Sequence, residues 1–567
     1  MCGIFGVIAN YSVVNSILEG LTKLEYRGYD SSGISILDKN KKLKTIRSKG
    51  KLINLKNKLK NINVNGKIGI GHTRWATHGI PSTLNAHPHT SDKVSIVHNG
   101  IIENYSILKK ELQKKGYKFK SQTDSEVIAH LLDSELTFEE PVIAIRKTLA
   151  KLEGAFAIAI IFRDLKLLAG ARKGSPLAIG ISDEATFIGS DSVALAPFTK
   201  KIIFLEEGDS VIIKDNSFDI FNENFRKIKR TISYSSYSKN NLDKGNFKHF
   251  MEKEIFEQPH IIGDSLSRFL DPINKTINIP QLKVDWAKIS KINFIACGTS
   301  YFACQVACYW FEKMVGVSCA AHFASEFRYK PMVEKSSNIL SIFISQSGET
   351  ADTLAALRYA KENKSKILSL VNVTESSISR ESDFVLSIAA GPEIGVASTK
   401  AFSAQLSVLA CLCLVMARKR KKINKNRELI FTESLLEIPS RMSSVMDSCD
   451  YIKKICGNIV NAKSALFLGR GSLFPIAMEG ALKLKEISYI HAEGYASGEM
   501  KHGPIALVDD KVPVIIIAPK DFLFEKNVSN MQEIMARGGN VILITDKNRG
   551  KELVDIKIKK IVLPNIN

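Results

Sequence analysis

The chain has 567 residues, of which 45% are apolar, 8% aromatic and 24% charged. This composition excludes a disordered chain, a collagen-like fibre and a small disulfide-bonded protein, and the length predicts about three to five domains. Lysine and arginine number 79 against 58 aspartates and glutamates, a formal net charge of +21. Such an excess suits an anionic partner such as a phosphorylated metabolite, a nucleic acid or a membrane surface.

The densest basic run is RKRKKINKNR at 418–427. It has no interleaved aromatic residues that could stack on bases, so we interpret it as a solvated linker between domains and expect no nucleic-acid partner. The nine cysteines form no CxxC pair, which is typical of a reducing compartment. The longest apolar stretch, 401–417, is short and contains polar residues, and the N-terminus has no basic signal region. We therefore predict a cytoplasmic protein with no membrane partner.

Residues 1–237 contain short alternating apolar strands separated by turns rich in glycine and histidine, such as the strand that ends in HNG at Gly100. The serine-rich stretch SYSSYSKNNLDKGN at 233–246 then interrupts the hydrophobic pattern, which indicates a domain boundary. We predict one domain over 1–237, followed by a linker and a helical lead-in over 238–284.

Beyond this boundary, continuous apolar strands alternate with helices, which is typical of parallel α/β sheets, and the pattern occurs twice. INFIACGTS at 292–300 corresponds to ALFLGRGS at 465–472, and the next three strands correspond in the same order. We predict α/β domains over 285–425 and 455–567. The second copy reaches residue 567 with no counterpart of the loop and apolar helix that follow the first, so we expect it to be incomplete.

Cys2 is the first candidate catalytic residue. Once Met1 is removed, this residue carries both a thiol and an α-amine, which can act as nucleophile and base at neutral pH. Asn99 and Gly100 follow the strand VSIV, where an amide and a backbone N–H can stabilise an oxyanion. The alternatives are a buried cysteine in the first strand and a type I′ hairpin turn at Asn-Gly.

Arg74, in GHTRWATHG, and Asp124, before a helix, could bind the carboxylate and ammonium groups of an amino acid. The alternative for Asp124 is a helix N-cap. Five histidines at 72, 78, 87, 89 and 98 raise the question of zinc, but their spacing fits no standard ligand set, and we predict no metal.

The segments MCGIFG, EYRGYDSSG, GHTRWATHG, HNGIIENY and TDSEVIAHL together resemble the class II glutamine amidotransferase domain, an N-terminal-nucleophile hydrolase. The resemblance implies a four-layer αββα fold that releases ammonia from glutamine by attack of Cys2. It also implies that Asn99 and Gly100 form the oxyanion hole. Residues that the resemblance assigns to glutamine binding are Arg27, Arg74, Trp75, His78, Gly100 and Asp124.

In the second half, CGTS at 297–300 and SQSGET at 345–350 each join a strand to a helix. Hydroxyls and free N–H groups at helix starts can bind phosphate, whereas helix capping is the alternative for either loop alone. The second copy has APKD where the first has SQSGET. We therefore predict that the first copy binds phosphate.

The helix and loop PIAMEGALKLKEISYIHAEGYASGEMKHGP carry possible acid–base groups. Lys483 and Glu486 share a helix face, Glu479 can pair with Lys483, and His502 lies before a Gly-Pro turn. These groups suit an aldose–ketose proton shift. The alternatives are surface ion pairs and an exposed turn.

These motifs resemble two sugar-isomerase (SIS) domains, and the whole chain resembles a family of sugar-phosphate amidotransferases. The resemblance implies glutamine and fructose 6-phosphate as substrates, glucosamine 6-phosphate as product, no cofactor, and a homodimer with a shared isomerase site. It implies that Glu486 moves the proton, that Lys483 assists, and that His502 of the neighbouring subunit helps to open the sugar ring. The resemblance places the sugar phosphate against Thr299, Ser300, Ser345, Gln346, Ser347, Thr350 and Ser398.

In the family a further C-terminal loop carries a lysine that forms a Schiff base with the sugar, and this sequence has no such segment. We therefore expect weak synthase activity. The alternatives are a glutaminase without synthase activity, a sugar-phosphate sensor that does not catalyse, and another class II amidotransferase. The last would need a phosphoribosyl-pyrophosphate or ATP loop in place of the SIS motifs.

Overall fold

The computed structural model describes all residues except 1, 216, 235–243, 280, 281, 283, 458, 554, 555, 557, 566 and 567. The chain divides into two compact units, Met1–Asp243 and Lys244–Asn567. The domain boundary predicted between 237 and 238 lies outside the described residues.

The first unit is built from antiparallel strands and short helices. Its strands are β1 (Gly3–Ala9), β2 (Ser31–Asp38), β3 (Leu43–Lys49), β4 (Gly66–Arg74), β5 (His89–Thr90), β6 (Val94–Ile102), β7 (Gly154–Phe162), β8 (Leu167–Lys173), β9 (Ala178–Ile181), β10 (Ala185–Gly189), β11 (Lys201–Phe204), β12 (Ser210–Lys214), β13 (Ser217–Phe221), β14 (Lys227–Ile228) and β15 (Ser233–Tyr234). Its helices are α1 (Val14–Leu24), α2 (Leu52–Leu59), α3 (Tyr105–Lys114), α4 (Glu126–Glu135), α5 (Pro141–Lys151) and α6 (Ser192–Leu195).

Among the described residues of this unit, the strands form an eight-stranded sheet, β15-β11-β9-β10-β1-β4-β2-β3, and a seven-stranded sheet, β14-β13-β12-β8-β7-β6-β5. Apolar residues of both sheets, such as Ile70 and Val97, form one core between them. A second core lies between the larger sheet and α1 and α2, and a third between the smaller sheet and α3, α4 and α5. This helix–sheet–sheet–helix order confirms the predicted αββα fold.

The second unit alternates strands and helices. Its strands are β16 (Leu270–Asp271), β17 (Thr276–Ile277), β18 (Lys291–Ala296), β19 (Ser318–Phe323), β20 (Ile339–Ser345), β21 (Lys366–Val371), β22 (Phe384–Ser387), β23 (Ser464–Gly469), β24 (His491–Ala496), β25 (Pro513–Ile517), β26 (Asn540–Asp546) and β27 (Lys559–Leu563). Its helices are α7 (Phe250–Ser267), α8 (Gly298–Val315), α9 (Ala324–Phe327), α10 (Ala351–Glu362), α11 (Ser377–Glu381), α12 (Lys400–Lys419), α13 (Lys425–Met446), α14 (Cys449–Cys456), α15 (Leu473–Ser488), α16 (Phe524–Ala536) and α17 (Lys547–Glu552).

The described strands after residue 290 form two five-stranded sheets with the same order, β19-β18-β20-β21-β22 and β24-β23-β25-β26-β27. Neighbouring strands in both sheets are parallel. Each strand that the sequence matched between the two copies occupies the same place in its sheet, which confirms the internal repeat. We name β18–β22 with their helices the first repeat, and β23–β27 with theirs the second repeat.

Helices cover both faces of the first repeat, which explains why its strands are continuous apolar runs. On β18, Phe294 faces the core that contains α8 and α12, while Ile295 faces the core that contains α10 and α11. Helix α7, from the predicted lead-in, packs Ile262 and Leu266 into the first of these cores. Helix α12 is apolar and long enough to cross a membrane, but 78% of its most apolar 18 residues are buried in the structure, as expected for a core helix.

Seven of the ten residues of the basic run 418–427 are exposed, as expected for a solvated connection, but two of its arginines bind to the protein. Arg418 ends in an ion pair with Glu428 at 2.6 Å and donates to the backbone oxygen of Ile277. Arg420 donates to the backbone oxygens of Trp286 and Ile289, each at 2.8 Å. The run joins α12 to α13, and Arg418 and Arg420 fix it to carbonyl groups of earlier segments.

Candidate active sites

Cys2 lies just before β1, beside the end of β4. The backbone N–H of Trp75 donates to Cys2 Sγ at 3.2 Å, and Sγ lies 3.4 Å from the backbone oxygen of Trp75. Burial raises the pKa of the Cys2 thiol, and the Trp75 N–H and the charge of Arg74 offset this only in part. The thiol is therefore protonated at neutral pH and needs a base before it can act as a nucleophile.

Asn99 and Gly100 lie inside β6, opposite Ala157 and Phe156 of β7, so the alternative of a hairpin turn is wrong. The Asn99 side chain reaches the other sheet, where Nδ2 donates to the backbone oxygen of Cys2 at 2.9 Å. Gly100 has φ +131°, and a Cβ there would lie 2.0 Å from the backbone oxygen of Ala155. Only glycine fits at this position.

Arg74 is the last residue of β4 and is 3% exposed. Its Nη2 donates to the backbone oxygens of His78 and Gly79, while Nη1 is buried without a hydrogen-bond partner among the described residues. A buried guanidinium nitrogen with an unused N–H is suited to a carboxylate ligand.

Asp124 is 3% exposed, and its Oδ2 accepts the backbone N–H of Ile102 at 2.8 Å. The N-cap of α4 is Ser125, with no hydrogen bond from its side chain. Asp124 therefore does not cap that helix, and the alternative considered for it is wrong. Its carboxylate is fixed against the end of β6, two residues beyond Gly100.

The remaining predicted glutamine-binding residues differ in their surroundings. Arg27 forms an ion pair with Asp191, whose other oxygen accepts the Val193 N–H at the start of α6, so its guanidinium ties a loop to that helix. Trp75 is 41% exposed with its ring edge against Tyr29. His78 packs edge-on against Tyr105.

Four of the five histidines considered for zinc lie in the interior of the unit. His72 and His89 are buried, which lowers the pKa of each to about 3, and burial also lowers the pKa values of His87 and His98. The rings of His72, His87 and His89 contact one another in a row: the first pair is tilted with centroids 4.2 Å apart, and the second is edge-on with centroids 4.5 Å apart. Within the described part of the chain, no three His, Cys, Asp or Glu residues are grouped as metal ligands.

In the second unit, the two predicted phosphate loops lie at the carboxyl ends of the paired strands β18 and β20. Ser345 Oγ accepts the backbone N–H of Gly348 at 3.0 Å and lies 3.1 Å from Thr350 Oγ1, so the SQSGET loop is folded around its own hydroxyls. Neither α8 nor α10 is capped by the side chain of its N-cap residue. The hydroxyls of both loops are therefore not used for helix capping. Predicted phosphate residues Ser347 and Gln346 are partly exposed in the same loop.

Glu479, Lys483 and Glu486 lie along one face of α15 and meet the first repeat at Thr299. Lys483 Nζ donates to Glu486 Oε2 and to Thr299 Oγ1, each at 2.9 Å. Thr299 Oγ1 donates to Glu479 Oε1 at 3.0 Å. A predicted sugar-binding residue is thus in direct contact with predicted acid–base groups. Thr299 and Lys483 are 184 positions apart in the sequence.

Two residues of this site, Gln405 and Glu393, were given no role from the sequence, and Glu479 was expected only to pair with Lys483. Burial raises the pKa of Glu479 to about 7, and its position four residues before Lys483 was the one available signal. Gln405 Nε2 donates to Ser300 Oγ at 3.0 Å. Glu393 accepts the hydroxyl of Ser398 at 2.9 Å. Gln405 and Glu393 lie on segments whose place beside the site depends on tertiary packing.

His502 is exposed at the end of the 3₁₀ helix Ser497–His502. Among the described residues of this chain, no hydrogen bond or ion pair joins His502 to Lys483 or Glu486. Its role stays a prediction.

Comparisons with known proteins identify a domain family in each of the two units. The glutamine amidotransferase domain family matches residues 72–197, and the SIS domain family matches 287–415 and 458–551. The chain therefore combines a glutamine amidotransferase domain with two SIS domains.

The glutamine–fructose-6-phosphate aminotransferase (isomerizing) of Bartonella quintana is 49% identical over 573 residues, which covers 100% of this chain and 93% of that protein. The Brucella suis protein of the same name is 50% identical over 569 residues, with the same coverage. The solved C-terminal domain of glucosamine-fructose-6-phosphate aminotransferase from Francisella tularensis is 42% identical, with a TM-score of 0.56, and covers 57% of this chain and 92% of that one. The chain belongs to the glutamine–fructose-6-phosphate aminotransferase (isomerizing) family.

Proposed function

We propose that this protein transfers ammonia from glutamine to fructose 6-phosphate and isomerises the product to glucosamine 6-phosphate. Family membership supports the reaction as a whole. The observation that carries its second half is the contact of Lys483 with both Thr299 and Glu486, because it joins the hydroxyl-lined loop of one repeat to the acid–base groups of the other.

Glutamine hydrolysis begins at Cys2. With Met1 removed, the α-amine takes the thiol proton, and the sulfur attacks the glutamine amide carbon. A C–S bond forms and the C–N bond breaks. The amide nitrogen takes the proton from the α-ammonium group and leaves as ammonia. Water then hydrolyses the thioester to glutamate. The unpartnered Nη1 of Arg74 supports its role as the ligand of the substrate carboxylate, and the buried Asp124 suits the substrate ammonium.

Asn99 and Gly100 supply the donors for the tetrahedral oxyanion in this proposal. Asn99 Nδ2 has two N–H groups, and the Cys2 backbone oxygen takes one of them. The other is available to the oxyanion beside the attacking residue. Trp75 and His78 line the glutamine site, and Arg27 supports the loop that follows α1.

In the sugar site, ammonia condenses with C2 of the open-chain ketose and water leaves. Glu486 then removes a proton from C1 and returns one to C2, which leaves an amine on C2 and an aldehyde at C1. Lys483, held between Glu486 and Thr299, stabilises the negative charge that develops. The phosphate is bound by Ser300, Ser345, Gln346, Ser347 and Thr350, and Ser398 contacts the sugar.

The proposal is tested by measuring glutamate release and glucosamine 6-phosphate formation separately on the same purified chain. Cys2→Ser should abolish glutaminase activity, because an alcohol is a far weaker nucleophile toward an amide, and should leave fructose 6-phosphate binding by calorimetry unchanged. Cys308→Ser, a change of a partly buried cysteine on α8, is the control. Glutaminase activity that survives in Cys2→Ser would overturn the mechanism.

We also propose a cytoplasmic homodimer in which the partner subunit's His502 completes the isomerase site by opening the sugar ring. Its exposure on this chain suits such a role. The test mixes Glu486→Gln and His502→Asn subunits, each inactive alone. In a shared site, mixed dimers regain one site with both native residues and recover part of the synthase activity. No recovery in verified mixed dimers would assign His502 to its own chain's site.

A further inference from the structure

The His72 side chain joins the two sheets of the first unit at the candidate oxyanion hole. It projects from β4 of the larger sheet and is 0% exposed. Its Nε2 lies 3.0 Å from Asn99 Oδ1 and 3.0 Å from the backbone oxygen of His98, both on β6 of the smaller sheet. None of the roles given above uses His72.

The hydrogen-bond partners fix the orientation of the Asn99 amide and the tautomer of His72. The Cys2 backbone oxygen can only accept, so the Asn99 atom 2.9 Å from it must be Nδ2. The other amide atom is then Oδ1, which faces His72 Nε2. The His98 backbone oxygen beside the same nitrogen also can only accept. His72 Nε2 therefore carries the proton and donates.

We propose that His72 is a positioning residue that holds the Asn99 amide with Nδ2 directed toward the oxyanion, an inference that rests on the proposed glutaminase function. Without the Nε2–H donor, Asn99 Oδ1 loses its partner, and the amide can rotate about its last side-chain bond. An amide flipped in this way presents an oxygen to the Cys2 carbonyl and to the developing oxyanion, and both contacts are repulsive.

The surroundings of His72 keep this donor in place. The ring lies against His87 with centroids 4.2 Å apart, and Nδ1 is buried with no hydrogen-bond partner among the described residues. Burial lowers the pKa of His72 to about 3, so the ring stays neutral throughout the physiological range. A neutral donor therefore adds no positive charge next to the Cys2 thiol and the Arg74 guanidinium, the two groups that the proposed reaction uses.

The first test compares His72→Phe with His72→Gln. Phenylalanine keeps a ring of similar size but has no donor, and we expect the glutaminase kcat to fall about 10- to 100-fold with the KM for glutamine changed less than about threefold. Glutamine keeps an amide N–H within reach, and we expect it to restore most of kcat. The control is His130→Phe, because His130 is also buried, at 7% exposure on α4, and packs against Tyr117 and Phe119, and it should leave kcat unchanged.

A double-mutant cycle separates positioning from general loss of structure. His72→Phe should lower kcat in the wild-type background and should have no further effect in an Asn99→Ala background, because the amide that it positions is gone. Equal losses in both backgrounds would show that His72 acts on the fold and not through Asn99. If His72→Phe does not fold, His72→Met provides the same comparison.

Binding of the γ-aldehyde analogue of glutamine gives a readout that does not need turnover. The Cys2 thiol adds to its carbonyl carbon, and the thiol proton passes to the carbonyl oxygen, so a tetrahedral hemithioacetal occupies the oxyanion hole. His72→Phe should weaken aldehyde binding about tenfold or more and leave glutamate binding unchanged. Equal weakening of both ligands would overturn the proposal. A wild-type chain without glutaminase activity would instead overturn the proposed function itself.

Discussion

The two units build their candidate sites in different ways. In the first, the site residues come from two facing sheets and the loops beside them, and buried neutral histidines lie next to them. In the second, two copies of one repeat meet, and the first contributes hydroxyls while the second contributes an ammonium and carboxylates. The first unit thus makes one site from one domain with a specialised interior, whereas the second makes one site from two repeats that have diverged.

The divergence of the repeats is visible in their matching loops. In the first repeat, Ser300 is held by Gln405 Nε2 with its hydroxyl hydrogen still available for a ligand. In the matching loop of the second, Arg470 donates through Nε and Nη2 to Asn530 Oδ1 at 3.1 and 2.8 Å. An arginine side chain bonded within its own repeat thus occupies the loop that corresponds to CGTS of the first repeat.

The largest expected effect separates the two chemistries. Glu486→Gln removes the carboxylate that moves the proton in the proposed mechanism, so glucosamine 6-phosphate formation should fall about 10²- to 10⁴-fold. Glutamate release at saturating glutamine should not change, because Cys2 and its partners lie in the other unit. The control is Glu362→Gln, a change at an exposed carboxylate on α10. A parallel fall in both activities would show that the two sites cannot be separated in this way.

Motifs at the ends of strands could be predicted from the sequence because each is local. The Cys2, Arg74, Asn99 and Asp124 motifs are short segments next to recognisable apolar strands, and the repeat was visible in four matched strands. Contacts between distant segments could not be predicted. His72 meets Asn99 across two sheets, and Thr299 meets Glu479 across 180 positions. The contacts of Arg418 and Arg420 in the basic run were missed for the same reason, since their carbonyl partners lie more than 130 positions away.

The second prediction concerns acid. In the first unit, His72 and His89 have pKa values of about 3 in the folded state and near 6.5 when unfolded, so unfolding takes up protons below pH 6.5. Lowering the pH from 6.5 to 4.5 should cost this unit about 2 kcal/mol for each of these histidines. The pKa of Glu126, lowered to about 2, acts in the same direction.

The second unit contains groups that oppose this trend. The pKa values of Glu254 and Glu479 are raised to about 7, so these carboxyls contribute stability below the unfolded pKa of 4.5 that is lost as the pH rises through 7. His322, with a pKa lowered to about 4, offsets part of this gain on acidification. Peptide-resolved hydrogen exchange at pH 6.5 and 4.5, corrected for intrinsic rates, should show the first unit opening first. If the second unit opened first at pH 4.5, these pKa shifts would not be what sets the acid stability of the two units.

The third prediction tests the divergence of the repeats. Replacing both Ser347 and Thr350 by alanine removes two hydroxyls that the proposal assigns to the phosphate, and the Kd for fructose 6-phosphate should rise about 10- to 100-fold by calorimetry. Ser472→Ala, in the matching loop of the second repeat, should leave the Kd unchanged. Glutaminase turnover should be normal in both variants. Equal weakening by Ser472→Ala would show that both repeats contact the phosphate.

The smallest effect is expected from Glu254→Gln, which removes one acid-titrating group from the second unit. Glu254 Oε1 accepts the backbone N–H groups of Ile394 and Gly395 in the loop that leads to Ser398, and the amide oxygen of glutamine can accept the same two bonds. At pH 5 the wild-type carboxyl is protonated and resembles the amide, so stability should be nearly equal. At pH 8 the wild-type group is ionised in a buried site, and the variant should be more stable by about 1–3 kcal/mol.

Hydrogen exchange of α7 and of residues 391–399 at both pH values measures this difference in stability, with Asp264→Asn, an exposed change on α7, as the control. A variant that is less stable at pH 8 than the wild type would mean that the Glu254 charge holds this loop through its hydrogen bonds more than burial opposes it.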